Sequence, residues 1–275
     1  MLSNLKNTLL TLLLLTTTLL HAQPSKIMPL GDSITFGLIV ADDDILPEEE
    51  TGGYRYYLWH MLHDANYETS FVGSLSAGSA LTPPFDTAHE GHRGWNTYEL
   101  ADNTAAFLTQ NPADTILLHA GTNDISVSAA GINQILDQIG LYEQQSGQSI
   151  KVYVALIINE RIPTPIITLF NENLKELVGI RIRNGDNLTL VDMAGRAGLT
   201  GADYSDNAHP NENGYQKMAK VWFDAITGPD TPGLYAYPYI LVDGTYIHEG
   251  SVVVNYGDNS VSFETDIPEN GITIY

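Results

Sequence analysis

Three features of the 275-residue sequence predict an α/β fold in which a mainly parallel sheet is covered by helices on both faces. Short apolar runs with β-branched residues alternate with longer segments whose apolar residues recur at helical spacing. Within the short runs the apolar character is nearly continuous, as it is in strands buried on both sides. The hydrophobic fraction, 43%, is ordinary for a globular chain and supplies a sizeable core.

The elements follow in order. KIMPL (26–30), TSFVGS (69–74), DTILLHAG (114–121), KVYVALII (151–158) and LTLVDM (188–193) are the strands. Residues 53–65, 97–110, 131–145, 166–183 and 211–226 carry the helical periodicity between and after them. The stretch ADDDILPEEETGG (41–53) is acidic and broken by proline and paired glycines, and it reads as an exposed loop. Its spacing matches no EF-hand calcium loop.

Both ends differ from this middle. Residues 1–22 hold one basic residue and an apolar run from Leu9 to Leu20, with Ala22 before Gln23. The run is short for a membrane span of about 20 residues. It reads as a secretory signal peptide, leaving no stable membrane anchor after cleavage. The main domain is expected over 23–230, and 231–275 alternates apolar and polar residues between Asp-Gly, Glu-Gly and Gly-Asp turns, a β-hairpin-rich extension.

Composition narrows the chemistry. The chain has no cysteine, which excludes disulfides, thiolate zinc sites and a cysteine nucleophile. Its 33 acidic and 12 basic residues give a formal charge of −21, and such a surface repels phosphate backbones, so no nucleic-acid partner is expected.

Four short motifs carry the functional reading. In IMPLGDSITFG, Gly31, Asp32 and Ser33 directly follow a strand, at the sheet rim where open α/β proteins bind ligands. Ser33 is either a helix cap or a nucleophile, and a nucleophile needs a base and the base an orienting group. In YSDNAHPNENGY, Asp206 precedes His209 by three residues, a gap that lets a turn bring carboxylate and imidazole together. LLHAGTNDI places Asn123 at the end of another strand, where its amide can serve a developing oxyanion, though such a turn is also a common cap. HEGHRGWNT puts Gly94 in a turn with a bare backbone N–H, between His92 and Trp95.

Taken in chain order, with their spacing, the four motifs resemble the SGNH (GDSL-type) hydrolase superfamily over residues 26–226, with Ser33, Gly94, Asn123 and His209 as the marker residues. The resemblance implies a flavodoxin-like three-layer α/β/α sandwich. It implies Ser33 as nucleophile, His209 as base and Asp206 as its partner, with an oxyanion hole of the Ser33 and Gly94 N–H groups and the Asn123 side chain. It implies no metal and no cofactor, and structural roles for Asp32 and Asp124. The stretches GGYRYYLWHMLHDANYETSFVGS (52–74) and HEGHRGWNT look like secreted carbohydrate esterases, especially family-three acetyl xylan esterases. Arg55 is then a structural or substrate-side residue or helix-surface decoration, His92 a candidate substrate contact, and Trp95, Tyr54, Tyr56 and Tyr57 can contact sugars by stacking or belong to the core.

The expected partner is an acylated carbohydrate or another ester. A general short-chain or lipid esterase of the same fold is the first alternative. A non-catalytic carbohydrate-binding or adhesion protein is the second.

Overall fold

The computed structural model describes residues 25–228, apart from positions 43 and 125, together with the backbone of four short strands between 240 and 264. The expected leader, residues 1–22, lies outside the described residues.

A seven-stranded sheet organises the chain. Its strands are β1 (Ser25–Gly31), β4 (Thr69–Phe71), β5 (Leu75–Ser76), β6 (Ala88–Gly91), β7 (Thr115–His119), β8 (Lys151–Ala155) and β9 (Leu188–Val191). Between the first two, β2 (Val40–Ala41) and β3 (Asp44–Ile45) form a separate small antiparallel hairpin. The sheet runs β5-β6-β1-β7-β8-β9, parallel except for the edge pair β5–β6. On its outer side β1 pairs with β4 along Ser25–Ile27 and with β6 at Leu30–Gly31, so two short strands share one flank.

Seven α-helices accompany it: α1 (Ser33–Phe36), α2 (Gly53–Asp64), α3 (Thr97–Gln110), α4 (Ala130–Ser146), α5 (Pro165–Arg183), α6 (Met193–Arg196) and α7 (Glu212–Thr227). Period-two alternation sorts the strand side chains between two cores. Met28, Leu30, Ile116, Leu118, Val152 and Val154 meet Leu100, Ile135 and Phe170 of α3, α4 and α5. Ile27, Leu117, Tyr153 and Val191 face Tyr54, Leu58, Met218 and Trp222 of α2 and α7 on the other side. Three layers result, helices–sheet–helices.

Most expected elements lie within a few residues of their observed bounds. The exceptions are β6, whose sequence AHEG has no apolar run, and the acidic stretch 41–53. That stretch contains the small hairpin and a 3₁₀ turn at Glu48–Glu50, and its last residues, Thr51–Gly53, are buried rather than looped into solvent. In the C-terminal region, Ile240–Val242 pairs antiparallel with Thr245–Ile247 and Ser251–Asn255 with Ser260–Glu264.

Candidate active site

The site forms where β1, β6 and β7 end together. Gly31 pairs with Gly91 on one side and His119 on the other, so the segments that follow all leave the same carboxyl edge of the sheet. Gly31 has to be glycine here: a Cβ would lie 2.0 Å from the His119 carbonyl oxygen. Asp32 then caps α1, its Oδ1 accepting the Ile34 N–H at 2.9 Å, and this cap presents Ser33 at the helix start. The Ser33 N–H sits in the first turn of α1, where no intrahelical acceptor exists.

The base arrives from the far end of the domain. Asp206 and His209 occupy the loop between a 3₁₀ turn at Gly201–Asp203 and α7. Asp206 Oδ1 accepts the backbone N–H groups of Ala208 (2.8 Å) and His209 (2.7 Å), closing an Asx-type turn. That turn aims Oδ2 at the ring, and His209 Nδ1–H donates to it at 2.8 Å. A carboxylate only accepts, so Nδ1 carries the proton and Nε2 is the acceptor for Ser33 Oγ–H, also at 2.8 Å. Burial alone would raise the Asp206 carboxyl. The hydrogen bonds from the His209 ring and from two backbone N–H groups outweigh it and hold the group below its ordinary value.

Nearby contacts fix this loop. Ser205 N–H donates to the His209 carbonyl (2.8 Å), Arg161 N–H to the Asn207 carbonyl (2.7 Å), and Val40 N–H to Ser205 Oγ (3.2 Å).

Opposite lies the segment after β6. His92 N–H donates to the Gly31 carbonyl at 2.9 Å, tying this segment to the nucleophile's strand. Gly94 adopts φ +80 in open space, a left-handed turn that leaves its N–H without a partner among the described residues. Asn123 Nδ2–H donates to the Trp95 carbonyl at 2.8 Å, which uses one amide hydrogen and sets the other beside the Gly94 turn. Asp124 braces the same two segments by accepting from Thr97 Oγ1 (2.7 Å) and Thr97 N–H (3.2 Å). Three donors of the kind an oxyanion needs thus come from three segments on one edge.

The structure gives each of the three candidate substrate contacts partners within the fold. Arg55 is wholly buried, and its guanidinium donates to the carbonyls of Thr35 (2.9 Å), Phe36 (2.8 Å) and Thr87 (3.1 Å). It caps the end of α1 instead of facing solvent, because helix-end carbonyls otherwise lack donors. Burial lowers it to about 10, so it stays cationic at neutral pH.

His92 is held by Glu90 at 2.9 Å and packs nearly parallel to both Trp95 (ring centroids 4.1 Å apart) and Phe107 (4.8 Å). Trp95 itself packs on the core. The stack supports the Gly94 turn from behind. Tyr54 is also core, whereas Tyr56 and Tyr57 are half-buried.

Sequence reasoning missed Glu90. Its fully buried carboxylate accepts from Ser74 N–H (2.6 Å), Ser74 Oγ–H (2.9 Å) and His92, fastening the β4–β5 connection to the Gly94 segment. The signal was available as a glutamate between two histidines in HEGH. Asp32, expected to be structural, caps α1 as described. Its other oxygen, Oδ2, is buried toward Thr122, and burial pushes the group up to about 6 against the pull of the Ile34 N–H, Thr122 and His209. Among the described residues no group of three or more His, Asp or Glu is placed to hold a metal ion, and no helix is long and apolar enough to cross a membrane.

Comparison with known proteins agrees with this geometry. The sequence profile of the GDSL-like Lipase/Acylhydrolase family matches residues 30–217. A multidomain esterase of Ruminococcus flavefaciens is 27% identical over 231 residues, an alignment covering 74% of this chain and 28% of that protein's length. Among solved structures, the Clostridium thermocellum family 3 carbohydrate esterase superposes with a TM-score of 0.61 at 29% identity, over 73% of this chain and 94% of that one. An acetyl esterase solved with an acetate ion gives 0.60 at 25% identity, over 74% and 96%.

Proposed function

The chain belongs to the GDSL-like lipase/acylhydrolase family and is an esterase, and from that premise we propose that it is a secreted serine esterase removing short acyl groups, acetyl above all, from carbohydrate. The observation that carries the mechanism is the unbroken line Ser33–His209–Asp206, with 2.8 Å at each step. Ser33 Oγ attacks the ester carbonyl while His209 Nε2 takes its proton. Asp206, anionic and held by its own turn, stabilises the imidazolium that forms. The tetrahedral oxyanion is met by the N–H groups of Ser33 and Gly94 and the Asn123 amide. His209 then protonates the departing sugar alcohol. Water, activated by the same ring, hydrolyses the acyl-enzyme and regenerates Ser33.

The carbohydrate and acetyl parts of the proposal draw support from the similar proteins, one a carbohydrate esterase and one solved with acetate. Export draws support from the apolar leader and Ala22, and the N-terminus of the protein recovered outside the cell checks it, with Gln23 expected.

The central test compares the protein with its Ser33→Ala variant on acetylated xylan, p-nitrophenyl acetate and a longer-chain p-nitrophenyl ester. Acetate release from xylan is expected to fall by about 10³-fold or more in the variant. Longer-chain turnover without xylan deacetylation would instead place the enzyme among general or lipid esterases. Equal behaviour of the two proteins would remove Ser33 from the chemistry.

A further inference from the structure

A second cleft, of about 220 Å³, opens beside the loop that carries the base, between α2, α7 and the segment after α1. Ile39, Leu81, Tyr56, Tyr57, Glu50 and Glu212 line it. We propose that it is a subsite for a sugar ring of the substrate chain other than the acylated one, which rests on the carbohydrate reading above.

The argument starts from what the lining groups lack. Glu50 and Glu212 have no ion pair or side-chain hydrogen bond among the described residues, and neither does the Tyr57 hydroxyl. Both carboxylates are exposed at the rim of the cleft and only accept, so a ligand rich in donors matches them. A small cation would answer that need but has no use for the rest of the lining. Ile39, Leu81 and the two tyrosine rings give the cleft apolar walls, and the rings meet edge to face with centroids 5.2 Å apart.

Tyr56 is fixed by its own hydroxyl, which donates to the Thr82 carbonyl at 2.8 Å. Tyr57 is half-buried, and burial and then the Glu212 charge raise its hydroxyl above the ordinary value, so it remains a donor. A pyranose matches this pairing of demands: hydroxyls around its rim for the carboxylates and Tyr57, C–H faces for the rings.

Position links the cleft to the reaction. Glu212 lies three residues after His209, so their Cα atoms are at most about 11 Å apart. Tyr215, also in the wall, donates its hydroxyl to the Leu38 carbonyl at 2.9 Å, and Val40 in turn binds the Ser205 hydroxyl of the base loop. A polysaccharide whose acyl group lies at Ser33 can therefore run past His209 into the cleft. The consequence is a preference for polymers or oligomers over an acylated monosaccharide.

The test is calorimetric binding of unacylated β-1,4-xylohexaose, which the enzyme has no ester to cleave. Wild type, Tyr57→Ala and Glu212→Gln are compared, with Glu49→Gln, an exposed carboxylate outside the cleft, as the charge control. Melting curves verify folding of each. Wild type and Glu49→Gln are expected to bind alike, and the two cleft variants at least tenfold more weakly. Should Tyr57→Ala fail to fold, the exposed Glu212→Gln carries the comparison.

Absence of binding by wild type, or equal binding by the cleft variants, overturns the subsite. The Ser33→Ala comparison is read separately. Ser33-dependent hydrolysis without xylohexaose binding removes the cleft alone. Binding lost in the cleft variants, without Ser33-dependent hydrolysis, removes the esterase mechanism alone.

Discussion

Asn123 is held by one of its own amide hydrogens, the one given to the Trp95 carbonyl, and that arrangement makes it a rigid donor instead of a mobile side chain. Asn123→Ala is expected to lower kcat by about 10²–10³ with a smaller change in KM, as loss of one oxyanion donor does; steady-state kinetics on p-nitrophenyl acetate check it. At this scale the sequence was readable where a role depends on local spacing. Asp206 and His209 lie within one Asx-type turn, so a three-residue gap was enough to suggest their pairing. The structural partners of Arg55, His92 and Trp95 were not readable, because their environment is set by residues far away in sequence. Arg55 meets Thr87, and His92 stacks on Phe107, and no local pattern announces either contact.

Helices and long strands were legible because their apolar periods are long enough to outweigh noise. The observed α3 has the expected bounds, α2 and α5 differ from theirs by one residue at one end, and α4 and α7 by one residue at each end. Strand β6 was invisible for the opposite reason: its four residues AHEG earn their place through pairing with β1 and packing under α1, not through their own pattern. The short helix bearing Ser33 likewise depends on its surroundings. Four residues cannot sustain a helix alone, and α1 persists because Asp32 caps its start and Arg55 its end. Arg55→Met is expected to cost several kcal/mol, at about 1–3 kcal/mol for each buried acceptor left without a donor. Urea denaturation measures the loss directly. Activity per folded molecule should also drop, since the clamp positions the nucleophile's helix.

For the whole molecule, the buried ionisable groups set the response to acid. His119 and His89 are both fully buried, and burial lowers their rings, His119 to about 4 and His89 well below its ordinary value. Each is neutral in the fold and protonates more readily when unfolded. Their contribution to stability is complete above about pH 6.5 and is lost as the pH falls toward the folded-state value. Asp32, raised by burial to about 6, has the opposite sign: the folded state holds its proton longer, so its effect weakens the fold as pH rises from 3.8 through 6. Between pH 8 and pH 5 the wild type is expected to lose about 2 kcal/mol more than His119→Gln. Asp32→Asn should steepen the wild-type decline over the same interval. Denaturant midpoints at the two pH values decide both. None of this was legible in the sequence, because HEGH and LLHAG do not say which histidines the sheet and helices will enclose.

The nucleophile stands near the beginning of the domain and its base 176 residues later, joined by one hydrogen bond. A chain synthesised from its N-terminus therefore makes Ser33 early and stays chemically silent while the sheet is assembled behind it. The Asp206–His209 turn comes just before α7, the last helix among the described residues, and Ser33 gains its base only when that helix brings the turn to the first strand. Onset of hydrolysis during synthesis or refolding would accordingly be a clock for the last docking step.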